Sequence, residues 1–192
     1  NRSEWASVLS ASGCAQGYDP AMPLRQAEVA DYLIFNRDNS SSILNCFENA
    51  RANARAMRTA ITAEMWEALN NALMELRRTA MHNLAKTDLP EFIDWVKRQG
   101  ALFRGATDST ILRNDGYDFI RLGIFIERAD NTARLLDVKY YVLLPETSMV
   151  GDGVDNYQWT TVLRAASSLR FCKDSRFIWY ARSRSRWRSI AA

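Results

Sequence analysis

The sequence predicts an all-α fold, an up-and-down bundle of long antiparallel helices, and three observations lead to this prediction. Apolar residues recur at spacings of three and four along most of the chain, and no stretch alternates with period two for long enough to predict a sheet. Glycine and proline together number only 12 of 192 residues. The polar connections between apolar stretches are short, which is typical of sequential helices in a bundle.

The first half of the chain contains two helices separated by a capping segment. Residues 25–36 are predicted to form a short apolar helix. The sequence RDNSSS after it is a turn in which Asp38 or Asn39 can cap the next helix and serine can satisfy first-turn amides. That helix covers about residues 41–60. Its apolar residues recur at helical spacing and predict one buried face: Ile43, Leu44, Phe47, Ala50, Ala54 and Met57.

Two further helices follow at clear start signals. Thr62 begins one, and Glu64 lies favourably in its first turn. Asp88 and Glu91 have the spacing of a capping box, and Pro90 falls in the first turn, where its missing N–H has little cost. The apolar face of the first of these helices comprises Met65, Trp66, Leu69, Leu73, Leu76 and Ala80. That of the second comprises Phe92, Trp95, Val96, Leu102 and Phe103.

The longest predicted helix runs from about residue 114 to residue 144 and is ended by Pro145. A polar, glycine-containing loop follows it, and another helix begins near Tyr157. The loop sequence GDGVDN lacks the Lys-Ser/Thr of a phosphate-binding loop and does not follow a strand. We therefore do not interpret this loop as a phosphate-binding loop.

The charge of the chain is concentrated at its C-terminal end. The net charge is +3, but residues 171–192 hold six of the 25 basic residues and one of the 22 acidic residues. Residues 1–170 therefore carry 19 basic and 21 acidic side chains, a net charge of −2. The positive net charge does not indicate that the whole domain binds nucleic acid.

The composition also bounds the compartment. No apolar run reaches the roughly 18 residues of a membrane span, and no basic region followed by an apolar stretch opens the chain. The three cysteines, Cys14, Cys46 and Cys172, are far apart and odd in number. We expect a reduced, cytoplasmic protein in which Cys46 is a small buried apolar residue rather than part of a disulfide.

Charged residues of the longest helix form a stripe beside its apolar face, which we call the charged stripe. The stripe comprises Glu127, Asp130, Arg134 and Asp137, with Gly123 on the same side, where a partner helix would have room to approach. Arg121 and Arg128 point elsewhere. The stripe is either an interhelical charge network that fixes register or half of a polar pocket, since both kinds of site collect such charges.

An earlier helix repeats the pattern. The sequence FENARANAR aligns with IERADNTAR, and each has Glu and Arg seven residues apart: Glu48 with Arg55, and Glu127 with Arg134. Two turns place both residues on one face, so two Glu–Arg pairs would meet if these helices pack together. Coincidence between alanine-rich helices is the alternative.

Metal and nucleophile chemistry find little support in the residue content. A carboxylate-bridged metal site in a bundle needs Glu-x-x-His pairs, but the chain has one histidine, His82, and the residue three before it is Thr79. The cysteines lack zinc spacing, and one histidine leaves no ordinary Cys-His or Ser-His pair. We predict no metal and no cofactor.

Several stretches closely resemble the Alpha-E domain family, a bacterial all-helical family of unknown function. They include FIRLGIFIERADNTARLLDVKYYVLLP, ITAEMWEALN, LFRGATDSTILRNDGYDFIRLG and YQWTTVLRAAS. The resemblance covers about residues 4–169. It implies a helical domain often found with ATP-grasp-type ligase-like and transglutaminase-like proteins, and hence a part in forming or modifying a peptide or amide.

The resemblance also divides the chain. Residues 1–170 are expected to be a partial Alpha-E-like domain, because the family usually begins with another helix containing Glu-Arg. Residues 171–192 depart from the family. This basic tail, with arginines at 182, 184, 186 and 188 among aromatic residues, is interpreted as a non-native or disordered end. Its alternative interpretation is an arm that binds single-stranded nucleic acid.

Three functional hypotheses follow. The leading one is an accessory or scaffolding partner of an ATP-grasp-type ligase. The second is an enzyme whose interhelical pocket holds a carboxylate- or phosphate-bearing substrate, with arginine binding the anion and a carboxylate acting as general base. Its candidate residues are Glu127, Asp130, Arg134, Asp137, Arg128, Glu48 and Arg55. The third, which we rank last, is nucleic-acid binding through the basic tail.

Overall fold

A computed structural model describes residues 2–81, 88–141 and 153–165. These ranges contain seven α-helices and no strand, which confirms the all-α prediction. The helices are α1 (Arg2–Ala11), α2 (Gln26–Ile34), α3 (Ile43–Ala56), α4 (Ala63–Met81), α5 (Leu89–Thr110), α6 (Asp115–Tyr141) and α7 (Gly153–Ala165), with a 3-10 turn at Ala15–Gly17. None of the described helices is both long and apolar enough to cross a membrane.

The start of α3 differs from the sequence prediction. Ser42 is the N-cap, and its Oγ accepts a hydrogen bond from the backbone N–H of Asn45 at 3.3 Å. A serine of this segment thus satisfies a first-turn amide, as predicted, whereas the prediction that Asp38 or Asn39 caps the helix was wrong. The side chain of Asn39 is used differently: its amide nitrogen donates to the carbonyl of Tyr32, and its Oδ1 accepts from the backbone N–H of Ser41. Asn39 is therefore buried as a connector between α2 and α3.

The starts of α4 and α5 agree better with the sequence. Thr62 precedes α4, and its Oγ1 accepts a hydrogen bond from the backbone N–H of Met65 at 3.3 Å. Asp88 is the N-cap residue of α5, and Pro90 lies in the first turn. The side chain of Asp88 makes no capping hydrogen bond, so only the position of the predicted capping box is realised.

Helices α3, α4 and α5 pack consecutively and antiparallel. Glu48 early in α3 contacts Arg77 late in α4, whereas Arg51 further along α3 contacts Asn70. At the other junction, the hydroxyl groups of Thr62 before α4 and Thr110 at the end of α5 are 2.7 Å apart. These pairings give the up-and-down arrangement that the short connections predict.

The core of this array combines aliphatic and aromatic side chains. Residues of α2 also contribute to it, and its buried members are Ala30 and Ile34 of α2 with Leu44, Leu73, Leu76 and Phe92. Trp95 packs at the edge, with its ring 5.7 Å from that of Phe92 and 6.2 Å from that of Phe47. Leu76 is completely buried, and such a side chain contributes about 1.5–3 kcal/mol relative to an exposed one.

A second, smaller core joins α1 to α2. Its buried members are Leu9, Cys14, Tyr18, Val29 and Tyr32. Gly13 ends α1 with φ of 70°, and the N–H of Cys14 donates to the carbonyl of Leu9 while that of Gly13 donates to Ser10. This Schellman geometry turns the chain so that Cys14 points into the core.

The exposure of Cys46 corrects one sequence prediction. Cys46 was expected to be buried, but it is exposed, whereas Cys14 is buried. Cys46 follows Leu44 by two positions, which places it on the opposite side of α3 from that core residue. The third cysteine, Cys172, and the basic tail at 171–192 lie outside the described residues.

Contacts between Cα atoms divide the chain into two units, residues 1–126 and 127–192. The first contains α1–α5 and the first part of α6, and the second contains the rest of α6 and α7. The apolar face predicted for α6 is open to solvent in its first part. Leu122, Phe125 and Ile126 are 52, 50 and 61% exposed, in contrast to the buried face of α4.

Candidate functional site

The charged stripe predicted on α6 consists of solvent-accessible side chains that form hydrogen bonds with other side chains of the same helix. Arg134 Nε donates to Asp130 Oδ2 at 2.7 Å, and this pair keeps 42 and 49% exposure of its side chains. The side-chain amide of Asn131 donates to Glu127 Oε1 at 3.1 Å. Both bonds join residues four apart, and an exposed pair of this kind contributes only about 0.3–0.5 kcal/mol.

Arg128 and Asp137 complete the candidate residues on α6. Both are exposed, and neither forms an ion pair within the described part of the chain. Arg128 contributes its carbonyl, which accepts a hydrogen bond from the hydroxyl of Thr132 at 2.7 Å. Among the five candidates on α6, Asp130 and Arg134 form an ion pair.

Glu48 is the best-bound carboxylate among the candidates. Arg37 donates to both of its oxygens at 3.1 Å, and Arg77 donates to Oε1 at 2.9 Å. The hydrogen bond from Arg77 is the largest cause that lowers the pKa of the Glu48 carboxyl, and Arg37 lowers it further against the opposing effect of burial. Glu48 is therefore held as an anion between two cations.

The partners of Glu48 differ from those that the sequence repeat suggested. Arg55 is exposed and forms no ion pair with a described carboxylate. Sequence reasoning missed Arg37 and Arg77, which are 11 and 29 residues from Glu48. Local spacing carries no signal for such distant contacts. Glu48 and Arg55 lie in the first unit and Glu127–Asp137 in the second, so the predicted meeting of two Glu–Arg pairs stays a prediction.

A second group of charges surrounds Asp108 at the corner between α5 and α6. Asp108 Oδ1 accepts a hydrogen bond from the hydroxyl of Tyr117 at 3.2 Å and lies 3.8 Å from Arg113 and 4.0 Å from Arg121. The guanidinium of Arg113 also stacks on the ring of Tyr117 at 3.9 Å. Arg121 therefore faces Asp108 rather than the charged stripe, in agreement with the separate direction predicted for it.

A small open cavity of about 150 Å³ lies between the core that joins α1 to α2 and the turn before α3. It is lined by Gly13, Cys14, Gly17, Tyr32, Asp38, Asn39, Ser40 and Ser41. Its main polar groups already have partners. The hydroxyl of Tyr32 donates to the carbonyl of Cys14. The side-chain nitrogen of Asn39 donates to the carbonyl of Tyr32, and its side-chain oxygen accepts from the backbone N–H of Ser41. Burial raises the pKa of Tyr32, which keeps it a neutral donor. None of the seven predicted site residues lies there.

The described residues contain no cluster of three or more histidine, cysteine or carboxylate side chains that would hold a metal ion. His82 lies outside the described ranges. The described part of α6 presents exposed charges and exposed apolar side chains.

Comparison with known families gives one match. The profile of the Alpha-E family, described as a predicted alpha-helical domain with a conserved ER motif, matches residues 1–177. The only Glu-Arg dipeptide in the sequence is Glu127–Arg128, on α6. No curated protein and no solved structure gives a significant match. The family profile covers most of the chain, and the protein belongs to the Alpha-E family.

Proposed function

We propose that this Alpha-E domain is an accessory or scaffolding subunit of an ATP-grasp-type ligase that forms or modifies a peptide or amide. The family resemblance supplies the chemical context of this proposal. The single observation that carries it is the exposed apolar surface on the first part of α6, which we call the α6 stripe: Phe119, Leu122, Phe125 and Ile126.

The α6 stripe has the form of a helix face that docks into a groove. Its four side chains are 72, 52, 50 and 61% exposed, in the order given. Their spacing of three, four and seven places them on one side of the helix, as in amphipathic helices that bind in an apolar groove. Clustered large apolar side chains of this kind are uncommon on a surface that contacts only water.

The surroundings of the α6 stripe also suit a protein interface. Gly123 lies beside it, and a Cβ atom added there would meet nothing within 4 Å, so a partner helix has room to approach. Exposed charges from Glu127 to Arg134 follow it along the helix. An apolar centre with a polar rim is the common anatomy of protein interfaces.

The partners of the candidate carboxylates favour the accessory hypothesis over the enzyme hypothesis. A general base acts best in a site that excludes water and holds its carboxylate near neutral pKa. The two Glu48 oxygens are instead occupied by Arg37 and Arg77, and Asp130 is half exposed against Arg134. These groups are already neutralised within the chain, which leaves less charge for a substrate.

Titration calorimetry tests the proposal with a matched pair of variants. The 192-residue chain is titrated into an ATP-grasp-type ligase-like protein from the same source. Leu122→Asp places a charge in the α6 stripe, whereas Leu102→Asp makes the same change on α5 at a position that is 60% exposed. Both positions are exposed and helical, so both variants are expected to fold.

We expect micromolar binding by the unmodified chain and by Leu102→Asp, and a loss of at least about tenfold in Leu122→Asp, because burying an unpaired carboxylate is costly. The absence of binding at micromolar concentrations would contradict the accessory role. Binding that both variants weaken equally would contradict the assignment of the α6 stripe.

A further inference from the structure

Three arginines gather where α3 ends, and we call them the arginine cluster: Arg51, Arg55 and Arg58. The guanidinium carbons of Arg51 and Arg58 lie 5.2 and 5.4 Å from the centre of the Trp66 ring on α4. Arg51 Nε also donates to Asn70 Oδ1 at 2.8 Å. Arg55 follows Arg51 by one helical turn and is exposed. One aromatic ring and one amide therefore hold Arg51 and Arg58, and Arg55 lies one helical turn from Arg51.

In the described ranges, no carboxylate lies within ion-pair distance of the arginine cluster. Glu48 is the only acidic residue of α3, and both of its oxygens are taken by Arg37 and Arg77. None of the three clustered arginines forms an ion pair within the described ranges, unlike Arg113 and Arg121, which share Asp108. Residues 51–60 contain three arginines and no acid.

This concentration of charge has a cost to stability. Arginines four residues apart on a helix repel each other, and such a like-charge pair destabilises the helix by about 0.2–0.5 kcal/mol. The C-terminal end of the helix dipole carries only about half a negative charge, which offsets less than one of the three cations. A complementary anion would relieve this repulsion.

We propose that the arginine cluster binds an acidic segment of a protein partner, with its carboxylates held by these guanidiniums. Arginine recognises carboxylate with two parallel hydrogen bonds, and arginine and tryptophan are enriched among residues that dominate binding energy. The contacts of Arg51 and Arg58 with Trp66 order their side chains before binding, which lowers the entropic cost of association. The inference stands apart from the proposed ligase partner and involves a different surface.

A protein partner fits the cluster better than a nucleic acid does. Nucleic-acid affinity depends on neutralising many phosphates, commonly six to ten for a duplex. The cluster has three cations, and residues 1–170 have a net charge of −2. Two or three carboxylates within a short peptide match its size and charge.

Fluorescence anisotropy of a labelled hexaglutamate peptide tests the proposal with the full 192-residue chain at about 50 mM salt, where electrostatic screening is weak. Hexaglutamine is the neutral control peptide. The decisive variant is Arg55→Glu, because Arg55 is exposed and its side chain forms no hydrogen bond or ion pair with another residue of the described ranges. Arg104→Glu makes the same charge change at an exposed position of α5, and Arg55→Lys keeps the charge. The basic tail is present in all four proteins, so it adds the same background.

We expect saturable binding of hexaglutamate, none of hexaglutamine, and a loss of about tenfold in Arg55→Glu, because one attraction becomes a repulsion. Arg104→Glu and Arg55→Lys should bind within about twofold of the unmodified chain. The melting temperatures of all four proteins should agree within about 2 °C, because each exposed charge change alters stability by no more than about 0.5 kcal/mol. Equal weakening by Arg55→Glu and Arg104→Glu would overturn the proposal. A larger effect of Arg55→Glu on a hexathymidylate probe than on hexaglutamate would also overturn it, in favour of nucleic acid.

Discussion

Helices α4 and α6 carry similar apolar spacing but meet different surroundings. On α4, Leu73 and Leu76 are 2 and 0% exposed because α3 and α5 flank that face. On α6, Leu122 and Ile126 are 52 and 61% exposed. Helical periodicity therefore indicates an amphipathic helix, but it does not indicate whether the surface that covers its apolar face belongs to the same chain.

The largest difference between these helices should appear in stability. Leu76→Ala is expected to lower the free energy of unfolding by about 2–5 kcal/mol, since it leaves a cavity in a packed core. Leu122→Ala should lower it by less than about 1 kcal/mol, because half of that side chain already contacts water. Urea denaturation of both variants measures the difference, and equal costs would contradict the description of α6.

A buried polar connector should be nearly as important as the core. Asn39→Ala removes hydrogen bonds to the carbonyl of Tyr32 and from the N–H of Ser41, and leaves these groups near the cavity without partners. We expect a loss of about 2 kcal/mol. Asn71→Ala, at an exposed position of α4, is the control and should be neutral or slightly stabilising. Similar melting temperatures for the two variants would refute the structural role of Asn39.

Much of this fold is predictable from sequence because helix starts and apolar periods are local. Thr62 and Pro90 give the starts of α4 and α5, and the apolar period gives Leu73 and Leu76 as core. The role of Asn39 is not local. A polar residue in a turn looks like a cap, and only the position of Tyr32 in space turns it into a buried connector.

The candidate site shows the same limit. The sequence predicts a charged stripe on α6, and the intrahelical Asp130–Arg134 pair follows from spacing alone. The fork of Arg37 and Arg77 around Glu48 does not, because it depends on how α3 meets α4. Cys46 illustrates the opposite error: a residue type that is often buried lies on the exposed side of its helix.

The ion pairs of Glu48 with Arg37 and Arg77 should make stability depend on pH. Glu48→Gln is expected to lower stability by about 1 kcal/mol at pH 7. Because the folded state lowers the pKa of the Glu48 carboxyl, its stabilisation is present above the ordinary value of 4.5 and is lost as the pH falls through the lowered pKa. The stabilities of the variant and the unmodified chain should therefore converge in acid.

Thermal unfolding from pH 7 to pH 3 measures this convergence, with Glu67→Gln as a control at an exposed position of α4. A difference for Glu48→Gln that stays constant across this range would contradict the electrostatic origin of the effect.

The smallest effect is expected on α6. Asp130→Asn should cost only about 0.3–0.5 kcal/mol, and the cost should shrink at high salt, because the Asp130–Arg134 pair is exposed. Asp137→Asn should be neutral or slightly stabilising, since this exposed acid lies near the C-terminal end of the helix. If Asp130→Asn lowered the free energy of unfolding by more than Glu48→Gln does, the charged stripe would be a buried network instead.

Hydrogen–deuterium exchange gives the most direct test that the α6 stripe is a docking surface. Exchange is compared in peptides covering residues 115–126 and residues 93–104, with and without the ATP-grasp-type protein. The account predicts slower exchange in residues 115–126 when the partner is present and no change in residues 93–104. Unchanged exchange in residues 115–126 under conditions where the two proteins bind would contradict it.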